Sequence, residues 1–321
     1  MFSAYRSMQW VEANKQKEEG IFTKYKYASE LGVIEYSFFK REAGIIDGVK
    51  YYDIASYRGA EGPYINSVIE GFERTMIYDF IKKFESFCKN EKIIAEFAKL
   101  DPWDRYAVDI RECYGAEYYG NYYCNDLTRD FYNKDYNRRA KRSIRKAVDS
   151  GVGIEFDFTG ETIPVFVELY KNTESKFNAS DYYRMTSDDI KKYFDTFKDE
   201  CFLINSVYNE KIIASVLVVM GQDIVHYLYL GSNPEYLELQ ANSLMTYKTA
   251  LYGQSIGKKL FDMGGGIPGS GIEQFKRNFI SEDDVWSYYA IKKIHNVDIY
   301  NKLVNMKPNV KNSKFFPLYR G

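Results

Sequence analysis

Three consecutive apolar runs, Cys201–Tyr208 (CFLINSVY), Lys211–Met220 (KIIASVLVVM) and Ile224–Gly231 (IVHYLYLG), decide the fold of this chain. Each has the length of a strand, is rich in β-branched and aromatic residues, and is bounded by polar or glycine-containing turns. Asn209-Glu210 reads as the hairpin turn between the first two. No crossover helix fits between them, so the three must be antiparallel neighbours. Upstream, Val152–Phe158 alternates as a strand, and Thr162–Phe177 and Ser187–Phe197 read as helices. Downstream come a helix over Glu238–Ser255 closed by Gly257, a short strand at Lys259–Met263, a short helix at Ile272–Phe279 and a last strand at Val285–Ile291. These strand–helix–strand steps require right-handed crossovers and parallel pairing. The fold class expected is α/β, a mixed sheet with helices on both faces.

The first half of the chain reads less sharply. Val33–Phe39 and Val49–Ile54 look like strands. Ile69, Phe72, Met76, Phe80 and Phe84 recur at helical spacing and predict a helix over Ser67–Cys88. Two more strands are expected near Lys92–Phe97 and Tyr106–Cys113. Asp135–Ser150 reads as a helix ended by Gly151, and six of its nine residues from Arg138 to Lys146 are cationic.

Length and composition narrow the function classes. The 321 residues suit one large domain or, as expected here, two domains. They are expected at 1–130, completed by 292–321, and at 131–291. Lys+Arg is 44 and Asp+Glu is 45, and that balance argues against a protein that coats nucleic acid. The 31 Tyr and 22 Phe supply ample core area and exclude a disordered chain. Lys15, Lys17, Glu18 and Glu19 interrupt any apolar leader, so no signal peptide is expected. The longest apolar run, Ile212–Met220, falls far short of the roughly 20 residues that cross a bilayer, and a cytoplasmic location is expected. Cys88, Cys113, Cys124 and Cys201 show no C-x-x-C spacing, and His226 and His295 are the only histidines. No metal site is expected, and the thiols read as reduced. Walker, dinucleotide, zincin and nucleophile-elbow motifs do not occur.

The chemistry-bearing segment is Leu260-Phe261-Asp262-Met263-Gly264-Gly265-Gly266 followed by Gly271-Ile272-Glu273-Gln274-Phe275-Lys276-Arg277-Asn278-Phe279. A strand, a glycine loop and a helix start bring backbone amides together on an anion or a carbonyl oxygen. Lys276 would add a full charge there, and Phe275 and Phe279, four apart, would anchor the helix. Locally, a plain loop with a solvated lysine satisfies the same residues.

These segments, with Tyr227-Leu228-Tyr229-Leu230-Gly231-Ser232 and Gln240-Ala241-Asn242-Ser243-Leu244, resemble the successive signatures of the Fem family, the peptidoglycan interpeptide-bridge aminoacyltransferases. Tyr136–Val148 with Gly151-Val152 is similar to that family's basic helix before its second subdomain. Ala55-Ser56 and Gly62-Pro63 resemble a weaker loop signature in the first. The resemblance implies two acyltransferase-like (GNAT-type) subdomains, here in a compact form without a coiled-coil insertion. It implies that Lys276, with Phe275, lies near the reacting carbonyl, within reach of Gly264 and Gly265. Arg184, with Tyr183, would meet the diphosphate of a nucleotide-linked precursor, and Tyr229 and Tyr227 lie on the strand lining that cavity. The family's N-terminal phosphate-binding lysine follows a tryptophan; Trp10 is followed here by Glu12, Asn14 and Lys15, and no residue is assigned.

The activity so implied is transfer of an aminoacyl group from aminoacyl-tRNA to an amine of a cell-wall precursor, with no tightly bound cofactor. Asp262, Glu273 and Tyr229 are conceivable proton acceptors, although Asp262 would equally serve to tie the glycine loop. Arg138, Arg142 and Arg145 would neutralise tRNA phosphates, or else pair with acidic neighbours. One rival is an acyl-CoA-dependent enzyme acting on an amino sugar or surface polysaccharide. Its usual Q/R-x-x-G-x-G/A loop is replaced here by Leu239–Ser243. A second rival is a binding module that has lost the chemistry.

Overall fold

The computed structural model describes residues 1–59, 62–176, 184–266, 268–307 and 315–321. Along the chain run α1 (Met8–Asn14), β1 (Ile21–Ser29), β2 (Gly32–Ile46), β3 (Val49–Ala55), β4 (Tyr64–Val68), α2 (Glu73–Asn90), β5 (Ile93–Lys99), α3 (Ala107–Tyr114) and β6 (Glu117–Asp126). Then come α4 (Phe131–Lys134), α5 (Arg138–Asp149), β7 (Gly153–Asp157), α6 (Ile163–Lys176) and α7 (Ser187–Phe197). They are followed by β8 (Cys201–Tyr208), β9 (Lys211–Met220), β10 (Ile224–Ser232), α8 (Ala241–Ser255), β11 (Leu260–Gly265), α9 (Gly271–Arg277), β12 (Val285–Ile294) and α10 (Val297–Asn305). The fold is mixed α/β. Two compact units form, one from Asn14–Tyr119 with Ser287–Gly321, the other from Met1–Ala13 with Gly120–Trp286.

In the first unit the strands run β1-β2-β3-β5-β12, with β4 also on β2. Two sequence expectations fail here. Tyr106–Cys113 is not a strand but helix α3, because Tyr106, Ile110, Cys113 and Tyr114 reach the core at helical, not alternating, spacing. Gly115 then closes the helix in the left-handed conformation. The helix expected from Ser67 begins only at Glu73, since Ser67 pairs with Val33 as part of β4, and Ile69 and Phe72 are exposed. Strands β1 and β6 and helices α1 and α10 were not foreseen.

The second unit carries the chemistry-bearing segment. Its strands run β6-β11-β10-β9-β8-β7. β7 to β10 are antiparallel, as the three apolar runs require, and β10 pairs with β11 in parallel. Asn209 and Glu210 both take positive φ (47° and 61°), the twist a two-residue hairpin needs. On one face α8 fills the core with Leu244, Met245 and Ala250 against Val216, Val218 and Phe261. Helix α5 packs on α8 through Ala140, Ile144 and Ala147. Helix α6 lies on β9 and β10. It approaches so closely that a Cβ on Gly231 would sit 2.4 Å from the Tyr170 amide nitrogen. A side chain at 231 would push the helix off the sheet.

Candidate active site

The parallel pairing of β10 with β11 is short. It joins Ile224, Val225 and His226 to Leu260, Phe261 and Asp262, and no β10–β11 pair follows. Past this point both strands are irregular: β10 shifts register against β9 between Tyr227 and Leu230, and β11 shifts against β6 between Asp262 and Gly265. Such bulges kink a strand and re-aim its side chains. Gly264 has φ +78°, a conformation that costs a residue with a Cβ about 1 kcal/mol or more.

Lys276, on α9, reaches into this region. Its Nζ donates to the Gly265 carbonyl at 2.5 Å and lies 3.5 Å from where a Gly264 Cβ would stand. Burial lowers the Lys276 pKa to about 8, opposed by the charge of Asp262 and by Cys124. Beside it, Phe275 and Phe279 pack with ring centroids 4.9 Å apart and anchor the helix. An ammonium so held adds a preorganised positive charge that water cannot cheaply reorient.

Of the conceivable proton acceptors, two are fully engaged. Glu273 accepts from the Gly269 amide at 2.6 Å, Tyr123 Oη at 2.8 Å and Arg277 Nε at 2.9 Å, so it clasps the loop to the helix. These bonds hold its carboxyl below the usual carboxylate range, the Gly269 amide contributing most. Asp262 is buried and accepts from the Gly264 amide at 2.7 Å, which makes it the tie of the glycine bend. Its other oxygen faces His226 Nδ1 at 2.9 Å and Tyr5 Oη at 3.3 Å. Tyr229 Oη lies 3.3 Å from Tyr193 Oη, and its ring meets Tyr170 edge-on.

The remaining expected residues are dispersed. Tyr227 is buried against Phe261 and belongs to the core beneath α8 rather than to the face carrying Tyr229. Arg184 is exposed just before α7, and Tyr183 lies outside the described residues. On α5 the side chains of Arg138, Arg139, Arg142, Arg145 and Lys146 all project into solvent, opposite the apolar contact with α8. None of the five forms an ion pair among the described residues. Its N-cap is tied to the end of α9, where Asn137 donates to Asn278 through its amide at 3.0 Å and its side chain at 2.9 Å.

At the start of α8 a cavity of about 250 Å³ is lined by Ile213, Tyr236, Leu237, Gln240, Asn242 and Phe275 among others, and by no Lys or Arg among the described residues. Phe275 thus contacts this cavity while its neighbour Lys276 reaches the glycine bend. Sequence reasoning missed His226, Tyr5 and Ser3. Only the register that sets His226 beside Asp262 reveals them.

Residues 134–277 match the model of a GNAT acetyltransferase domain. No curated protein matches the chain. Among solved structures, FemX is similar at TM-score 0.67 and 13% identity over 94% of each chain. The C-terminal domain of a putative lysylphosphatidylglycerol synthetase from Agrobacterium fabrum is similar at TM-score 0.55 and 14% identity, over 97% of this chain and 92% of that one. L-PGS from Bacillus licheniformis follows at TM-score 0.52 and 10% identity, over 91% and 92%.

Proposed function

We propose that this GNAT-type acyltransferase moves an aminoacyl group from aminoacyl-tRNA to an amine of a peptidoglycan precursor, with Lys276 at the reacting carbonyl. The observation that carries this reading is the Lys276 ammonium held on the Gly265 carbonyl at the irregular end of β10 and β11. The attacking nitrogen forms the new C–N bond, and negative charge grows on the carbonyl oxygen. Lys276 stabilises that oxygen, which is worth on the order of 10²–10³ in rate for one well-placed donor. Collapse breaks the ester C–O bond, and the proton lost by nitrogen ends on the departing ribose oxygen. Asp262 and Glu273 are spent on the loop, so the proton passes to the leaving group and not to a carboxylate of this loop.

Two features favour an RNA-borne donor. The five exposed cations of α5, without acidic partners among the described residues, offer sites for phosphates, and arginine forks suit phosphodiester oxygens. The Asn137–Asn278 clasp ties that helix to the end of the one bearing Lys276. Among the described residues, the cavity at the start of α8 is lined by no cation to meet a coenzyme diphosphate. An acyl-CoA donor and an amino-sugar acceptor form the second reading, favoured by the acetyltransferase-domain match over residues 134–277. Arg184 with Tyr183 would meet the acceptor's diphosphate, and similarity to FemX motivates a cell-wall precursor as that acceptor.

The test is transfer of radiolabelled amino acid from a panel of charged tRNAs to nucleotide-linked muropeptides, run beside thiol release from an acyl-CoA panel. Label appearing in the muropeptide only with charged tRNA supports the first reading. Thiol release without tRNA-dependent transfer overturns it in favour of the second.

A further inference from the structure

Behind the glycine bend, the N-terminal segment enters the same unit and ends on the strand pair. Ser3, His226 and Asp262 are completely buried, and Tyr5 nearly so. The Ala4 amide donates to His226 Nε2 at 3.2 Å. A backbone N–H can only donate, so Nε2 is the unprotonated nitrogen and Nδ1 carries the hydrogen. That hydrogen points at Asp262 Oδ2, 2.9 Å away. Ser3 Oγ stands 3.1 Å from Nε2 and accepts from the Tyr5 amide, which fixes the segment's course. The Tyr5 ring lies 4.2 Å from the imidazole, centroid to centroid, and its hydroxyl donates to the same carboxylate oxygen. Asp262 Oδ1 then takes the Gly264 amide, and the next residue's carbonyl takes Lys276 Nζ.

We infer that His226 is a positioning residue: it fixes the orientation of Asp262 beneath the glycine bend, and so sets the place of the Lys276 ammonium. This rests on the reading of Lys276 above for its catalytic meaning, but not for its physical content. With His226 removed, Asp262 Oδ2 loses the donor that fixes it, and the carboxylate can turn away from Lys276 and loosen its hold on the bend. The groups facing Lys276 are Asp262, Cys124 and the Gly265 carbonyl. Those facing Asp262 are His226, Tyr5, Cys124 and the Gly264 amide. Tyr5 in turn is influenced by Tyr122 and Tyr229. Among the charged groups acting on Lys276, Asp262 is the one whose anion supports the ammonium most, so its loss must move the lysine's titration down.

The experiment follows the titration of Lys276 directly, in the full chain, by NMR of ¹³C-methylated lysines assigned with Lys276→Met. His226→Leu removes the donor, and His226→Asn can restore an N–H near the Nδ1 position. Expected is a fall in the Lys276 pKa of about one pH unit in His226→Leu, with at least half regained in His226→Asn. Turnover, where measurable, should lose its alkaline limb at correspondingly lower pH. Should His226→Leu not fold, Ser3→Ala and Tyr5→Phe test the same chain and should each move the titration the same way by less. An unchanged Lys276 titration in folded variants overturns the inference. A shifted titration with full turnover in Lys276→Met would instead overturn the role of Lys276 while leaving the positioning by His226 intact.

Discussion

Helices α9 and α5 are both cationic, and they handle charge in opposite ways. On α9, Arg277 is paired with Glu273 and Glu282, and Lys276 is half-buried on a carbonyl. On α5, five cations stand in water without acidic partners among the described residues. The difference separates two uses of positive charge. A single ammonium held out of water acts at one atom and needs an exact setting. A row of solvated guanidinium groups acts through a screened field, over about a Debye length, and tolerates misplacement. A protein with formal net charge -1 that leaves such a row unpaired has compensated elsewhere, so the row is local and directional.

The sharpest way to break this contrast is at its point charge. Lys276→Met should lower turnover on the order of 10²–10³-fold with binding of the donor little changed. The Met variant should also unfold at a higher temperature near neutral pH, because the wild-type fold desolvates an ammonium there. The sign follows from the lysine's lowered pKa. The protonated form is penalised in the fold, so the penalty is present below about pH 8 and fades as pH rises towards 10.5. Thermal denaturation against pH measures it, and a wild type no less stable than the Met variant at pH 7 would contradict it.

The distributed charge should respond differently. Arg138→Gln, Arg142→Gln and Arg145→Gln together should raise the KM for charged tRNA about tenfold at moderate salt and leave saturated turnover nearly unchanged. The slope of log affinity against log salt should fall by about 2–3. A wild-type affinity indifferent to salt would remove α5 from donor binding. Smaller again, wild-type turnover at saturating substrate should decline as pH passes upward through about 8, while the triple glutamine variant keeps the same pH profile. The mildest effect is expected from Glu273→Gln, which puts an amide where three donors converge. Melting should fall by a few degrees near pH 7. It should converge with wild type in acid, because the wild-type carboxylate's contribution is present above pH 4.5 and vanishes as it protonates.

Much of this contrast is legible in the sequence. The apolar runs 201–231 dictate their antiparallel order, because strand length, turn residues and missing crossovers leave one arrangement. The strand, glycine loop and helix around Lys276 were equally readable, and so was the use of Asp262 to tie the bend. What escaped has a common physical cause. His226 and Tyr5 meet Asp262 across 36 and 257 positions of chain, and Ser3 meets His226 across 223; these pairings exist only in the folded sheet. Tyr227 and Tyr229 alternate in sequence as if on one face, yet the bulge at Tyr227–Leu230 separates them. The helix at Ala107–Tyr114 was mistaken for a strand because its core contacts are too few to show a period in eight residues.

The close seat of α6 on Gly231 has a bearing on how such a protein can diversify. No residue but glycine fits at 231 while the helix backbone keeps its place, so the scaffold at that crossing is frozen. Tyr229, two positions earlier, meets Tyr193 and Tyr170 through its side chain. A change at 231 thus reshapes the scaffold itself, by displacing α6, whereas a change of side chain at 229 leaves that crossing in place.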